Sequence, residues 1–113
     1  MKRCAAVRVL LDEQLPRQLA PYLVGHDVRT TQQQGWAGLK NGDLMKQAVN
    51  AGFEVFLTGD QNLQFQQNLK LSGLFVVILV AASNALEDLL PRIPTALAAI
   101  TDARPGHVLR VDA

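Results

Sequence analysis

The apolar positions of this chain fall into short continuous runs separated by stretches with helical spacing. Val7-Arg8-Val9-Leu10-Leu11 is the first run, and it stops at two adjacent carboxylates, Asp12 and Glu13. Leu15, Leu19, Tyr22 and Leu23 follow at helical spacing, with Pro16 suited to a first helical position. Pro21 has no amide hydrogen to donate, so this helix is expected to be short or bent. Gly25 ends it, and Asp27-Val28-Arg29-Thr30 reads as a second strand near a sheet edge. Thr31 to Lys40 has no period and reads as a surface loop. Asn41-Gly42-Asp43 opens a helix, with Asn41 as its cap, Asp43 in the acid-favouring first turn, and Leu44, Met45, Ala48, Val49 and Ala51 on its apolar face.

Gly52 stops that helix and Phe53 to Thr58 forms the third strand, closed by Gly59-Asp60. Leu63, Phe65 and Leu69 mark another amphipathic turn. Leu74 to Val80 is apolar at every position, the signature of a parallel strand buried on both faces and lying near the sheet centre. Asn84-Ala85-Leu86-Glu87 has capping-box spacing, and a stripe of leucines and isoleucines runs on to Asp102. Pro91 and Pro94 kink or split this helix, Pro94 opening its second piece. Pro105-Gly106 turns the chain into a last short strand, His107 to Val111.

Strands alternating with helices imply a parallel sheet covered on both faces, an α/β sandwich of three layers. Right-handed crossovers leave few arrangements. The expected order places strand one beside strand three, strand two outside one and strand four outside three. The order then reverses between strands one and three, and ligands of such sheets bind in the crevice beyond the carboxyl ends at that point. Asp12 and Asp60 both end there.

Length and charge narrow the picture further. A chain of 113 residues, 49% apolar and 19% charged, is the size and composition of one globular domain, here residues 1–113. A net charge of +1 gives no global basic field, so any nucleic-acid contact must be local. The single Cys4 forms no internal disulfide and has no partner at metal-ligand spacing. His26 and His107 are equally isolated. The longest apolar run, Leu74 to Ala82, is less than half a bilayer span, and no signal-peptide core follows Met1. The expected location is the cytoplasm, with no membrane partner.

Asp12, Asp43 and Asp60 stand at comparable topological positions, and Asn62 adds a neutral oxygen two residues beyond Asp60. Oxygen ligands without Cys or His suit a hard cation, Mg²⁺ or Mn²⁺. A purely local account exists for each residue. Asp43 favours a helix N-terminus whatever its function, and Asp12 and Asp60 are each placed to cap the helix that follows.

The pieces LLDE-x-LP, Gly25-His26-Asp27-Val28, GLKNGDL, FLTGDQNL and SNxLEDLLP occur in an order that resembles a group of short bacterial PIN-like proteins, often encoded in toxin–antitoxin-like pairs. The resemblance covers Val9 to Pro94. It implies a Rossmann-like PIN-type fold, a mostly parallel sheet of about five strands, and a Mg²⁺- or Mn²⁺-dependent ribonuclease of the VapC-toxin kind. Position by position, Asp12, Asp43 and Asp60 match the family's catalytic, metal-binding acids, and Asn62 falls where many members have a further acid or polar substitute. RNA, a cognate antitoxin and a second copy of the chain are the partners implied. Two departures matter: Asn41 replaces an acid common in relatives, and Asn62 carries no charge. Such a site suits one divalent ion better than two. The chain is also shorter than a typical PIN toxin.

Among possible substrate contacts, Lys40 and Arg17 are near enough in sequence to reach a phosphate, and Trp36 has the chemistry to stack on an unpaired base. Solvated lysine and arginine, and a tryptophan that covers the core, are the plainer accounts. Two rival functions also fit: a PIN-like binding module with little or no catalysis, and a phosphohydrolase using Asp12 as nucleophile. No glycine-rich phosphate loop supports a nucleotide cofactor.

Overall fold

In the computed structural model, residues 7–36, 38–39, 41–59, 73–83, 85–102 and 106–111 are described, the side chains of 41 and 42 excepted. Five strands form one sheet: β1 (Arg8–Leu11), β2 (Asp27–Thr30), β3 (Val55–Thr58), β4 (Phe75–Leu79) and β5 (Val108–Val111). Their order is β2-β1-β3-β4-β5, and every neighbouring pair is parallel. The expected order of the first four strands is therefore the observed one, β2 lies at an edge, and β5, which the expectation left unplaced, adds outside β4.

Alternation along each strand sorts the core into two layers. Val9, Leu11, Val55, Leu57, Phe75, Val77, Leu79 and Val111 point to one face, where they meet Leu15, Leu19, Leu89, Ile93, Ala96 and Ile100. Leu10, Phe56, Val76 and Ile78 point to the other, where they meet Leu44, Met45 and Ala48 of the helix α1 (Asn41–Asn50). Helical elements thus cover both faces, which is the α/β sandwich compatible with a Rossmann-like fold. β3 and β4 are buried at every residue, as continuous apolar runs require.

The segment after Pro16 is a 3₁₀ helix, η1 (Arg17–Tyr22), with Pro21 inside it. A proline in its second half blocks the α-helical bonding pattern, and the shortened helix buries only Leu19. The prolines near the carboxyl terminus divide the chain as expected into α2 (Leu86–Leu89), η2 (Leu90–Arg92) and α3 (Ile93–Thr101), with Pro94 in the first turn of the last. Asn84, the expected cap, lies outside the described residues. The Ser83 hydroxyl, just before the helix, accepts the Ala85 N–H at 3.0 Å and donates to Asp88 at 2.6 Å.

The stretch expected to be an aperiodic loop has more order than its composition suggests. Thr30 and Gln33 form a reciprocal capping box: the Thr30 N–H donates to Gln33 Oε1 at 2.9 Å, and the Gln33 N–H to Thr30 Oγ1 at 3.0 Å. One turn of chain follows, closed by the Trp36 N–H on the Thr31 carbonyl. Thr30 and Thr31 are both buried beneath it. Among the described residues, no helix is long and apolar enough to cross a membrane.

Candidate functional site

Asp12 occupies the first position beyond β1, at the crevice between β1 and β3 where the strand order reverses. Its backbone N–H still donates to the Leu57 carbonyl at 2.9 Å, so the sheet ladder holds it in place. Alternation turns its side chain to the α1 face, the face of Leu10. Leu11 pairs with Leu57, which sets Thr58 level with Asp12 on the neighbouring strand. The Thr58 hydroxyl donates to Asp12 Oδ2 at 2.6 Å, a short bond of the kind an ionised acceptor makes. Thr58 itself is completely buried.

Burial is the largest influence on the Asp12 carboxyl and raises its pKa above the ordinary aspartate value. The Thr58 hydroxyl and the backbone amides of Gln14 and Glu13 partly offset that rise, while the Glu13 carboxylate adds a small upward push. Among the described residues no lysine or arginine lies within ion-pair distance of Asp12. Among the described residues, neutral donors alone receive the Asp12 carboxylate.

Glu13 has a separate role. Its Oε1 accepts the Gly38 N–H at 3.0 Å across 25 residues of sequence, tying the loop after β2 to the mouth of β1. Gly38 has φ +87°, a left-handed conformation that other residues adopt only with strain, and a Cβ there would meet nothing within 4 Å. The backbone, not crowding, calls for glycine at this position. α1 starts three residues later, and because β2 runs toward the carboxyl edge, the amino end of α1 lies at that edge. Asp43 is exposed in its first turn.

Of the remaining expected residues, Asp60, Asn62 and Lys40 lie outside the described residues. Arg17 is exposed at the start of η1. Trp36 is half-buried, with its ring edge-on to Phe53 at 5.9 Å and 75°, the core-covering contact that was one of the two expectations for it. Among the described residues, no three His, Cys, Asp or Glu side chains are grouped closely enough to hold a metal ion. Asp12 and Asp43 are the two described members of the expected ligand set.

Two residues of this edge escaped the sequence reading. Thr58 was legible in principle: once β1 and β3 pair in parallel, it is the strand-end residue opposite Asp12. Arg92 was not, because it lies 12 residues beyond its partner, and the contact depends on how α2 and η2 fold back. Its Nε donates to the Val80 carbonyl at 2.8 Å, just past the end of β4.

Carboxylate oxygen is the donor type that hard divalent ions take. The described side chains offer the carboxylate oxygens of Asp12 and Asp43, and Asp12 is partly desolvated with no lysine or arginine of the described residues within ion-pair distance. No family model matches the chain, and no curated protein or solved structure matches it.

Proposed function

We propose that this chain is a PIN-like, metal-dependent endoribonuclease, the toxin component of a toxin–antitoxin pair. The observation that carries the reading is Asp12, a partly buried carboxylate at the switch point of a parallel sheet, positioned by the Thr58 hydroxyl and matched to no cation among the described residues. In this reading Asp12, Asp43, Asp60 and Asn62 are the ligands of one Mg²⁺ or Mn²⁺. A bound ion of this type lowers the pKa of its water and neutralises charge building on a phosphodiester. The chain's own contribution is to hold the carboxylates. The β1–β3 ladder fixes the Asp12 backbone, Thr58 fixes the plane of its carboxylate, and Glu13 fastens the loop that leads into α1 and Asp43. A protonated Asp12 is no ligand, and its pKa is raised. Activity therefore falls on the acid side at a higher pH than an ordinary aspartate would give.

Purified full-length protein with Mn²⁺ should cut single-stranded RNA, and Asp12→Asn should reduce the rate about a thousandfold. Equal cleavage by both proteins points to a contaminating nuclease and removes the assignment. If neither cleaves while a cognate protein or RNA still binds, the chain is a PIN-like binding module. Co-purification with the product of an adjacent gene, and the mass of the protein in solution, test the antitoxin partner and the homodimer.

A further inference from the structure

Arg92 stands out among the cations of the described residues. Arg8 and Arg29 both pair with Asp27 at the amino end of β2, at 3.5 and 3.1 Å. Among the described residues Arg92 has no acid partner. Asp88, one helical turn before it, accepts the Ser83 hydroxyl instead. The Arg92 side chain is half-buried, and the bond from Nε to the Val80 carbonyl draws its guanidinium back to the carboxyl end of β4.

Strand register locates that end relative to Asp12. Thr58 pairs with Ile78, so Val80 lies two residues beyond the level of Thr58 and Asp12, on the same edge of the sheet. β4 is two strands from β1, or about 10 Å at the usual interstrand spacing. A guanidinium engaged through Nε has its plane fixed, and its two terminal nitrogens form the fork that matches phosphate oxygens. Satisfying a strand-end carbonyl does not require a charge, since an amide donor does the same. A half-buried cation without an anion is costly unless something anionic arrives.

We infer that Arg92 binds a backbone phosphate of an RNA strand lying across the carboxyl edge of the sheet, beside the phosphodiester at Asp12. The inference rests on the ribonuclease reading for the identity of the strand. Arg17, exposed at the same edge where η1 leaves β1, is a weaker second contact.

The test compares Arg92→Gln with the parent in the full chain carrying Asp12→Asn, so that the strand stays whole. Binding of a short fluorescent single-stranded RNA is followed by anisotropy over a salt series in Mn²⁺. Glutamine keeps a donor for Val80 and removes the charge. The expected result is an affinity loss of about tenfold and a salt slope smaller by about one, with Arg92→Lys losing less. An unchanged slope and affinity in a protein with a parental melting curve overturns the inference. So does a loss of affinity with no change in slope, which marks a structural role only. Binding that depends on Arg92, found alongside an unsubstituted chain (Asp12 intact) that never cleaves RNA in Mn²⁺, removes the nuclease reading and leaves the phosphate contact standing. RNA binding absent from the parent removes both.

Discussion

Arg8 and Asp12 sit on one side of one strand, four residues apart with Leu10 between them, yet their surroundings are opposite. At the amino end, Arg8 lies 4.4 Å over the Phe53 ring, donates to the Ala51 carbonyl and pairs with Asp27. Its charge is answered three ways, and it ties β1 to β2 and to the turn after α1. Gly52 belongs to the same closure: it has φ +87°, and a Cβ would stand 3.1 Å from the Arg8 guanidinium. At the carboxyl end, among the described residues, Asp12 has only neutral donors, and two strands away Arg92 has no acid. One end of the sheet is neutralised from within. The other keeps opposite charges apart, which is the arrangement a site needs if a metal ion and a phosphate are to complete it.

The two ends of the sheet separate most clearly in a paired experiment. Asp12→Asn should lose cleavage about a thousandfold and still melt as a folded protein, because it removes a partly buried charge that folding disfavours. The sign of that effect is set by linkage. A carboxyl whose pKa is raised on folding is best accommodated while protonated, so its contribution to stability falls as pH rises from the ordinary aspartate range through the folded value. The melting temperature of Asp12→Asn relative to the parent should therefore increase over that window. A variant that loses stability relative to the parent as pH rises contradicts the assigned environment.

Arg8→Ala should give the reverse outcome: a loss of about 2 kcal/mol of stability from the cation–π contact and the carbonyl hydrogen bond, read in urea melts, with cleavage per folded molecule unchanged. A selective loss of cleavage would mean that the amino end is part of the site.

Thr58→Val sharpens the carboxyl end. It preserves shape, removes the donor to Asp12 Oδ2 and so lets burial raise the Asp12 pKa further. The acid limb of the pH–rate profile should move to higher pH with a rate loss of about tenfold at neutrality, and Thr58→Ser should restore both. An unmoved limb would show that Asp12 does not control it.

The smallest effect is expected at Glu13. Releasing the Gly38 amide in Glu13→Ala should speed chymotryptic cleavage after Trp36 or Leu39 by about threefold, the scale of one exposed hydrogen bond, while Glu13→Gln retains the acceptor and the parental rate. Equal rates in all three proteins would show that the loop is held by Trp36 and the Thr30–Gln33 box alone.

Most of the fold was legible in the chain. A fully apolar run such as Phe75 to Leu79 has no stable place except inside a sheet covered on both faces, and its alternation with helical spacing forces parallel strands and their crossovers. Asp27–Thr30 was read to the residue because Gly25 and the polar turn bracket it. The 3₁₀ form of η1 was less legible, since Pro21 excludes a regular α-helix without choosing its replacement. The order within Thr31 to Gly35 was missed because the capping box looks, in sequence, like two ordinary polar residues in a glutamine run.

The amino-acid pattern alone set the layers, the order of the first four strands and the position of Asp12 at a strand end, because periodicity and turn chemistry are local properties that burial then enforces. Only the tertiary structure decided what each charge meets. Thr58 faces Asp12 because two strands pair in one register, Glu13 reaches Gly38 across 25 residues, and Arg92 returns to Val80 through the fold of a proline-divided helix. Electrostatic environment depends on distances between segments remote in the chain, and those distances exist only once the sheet has formed.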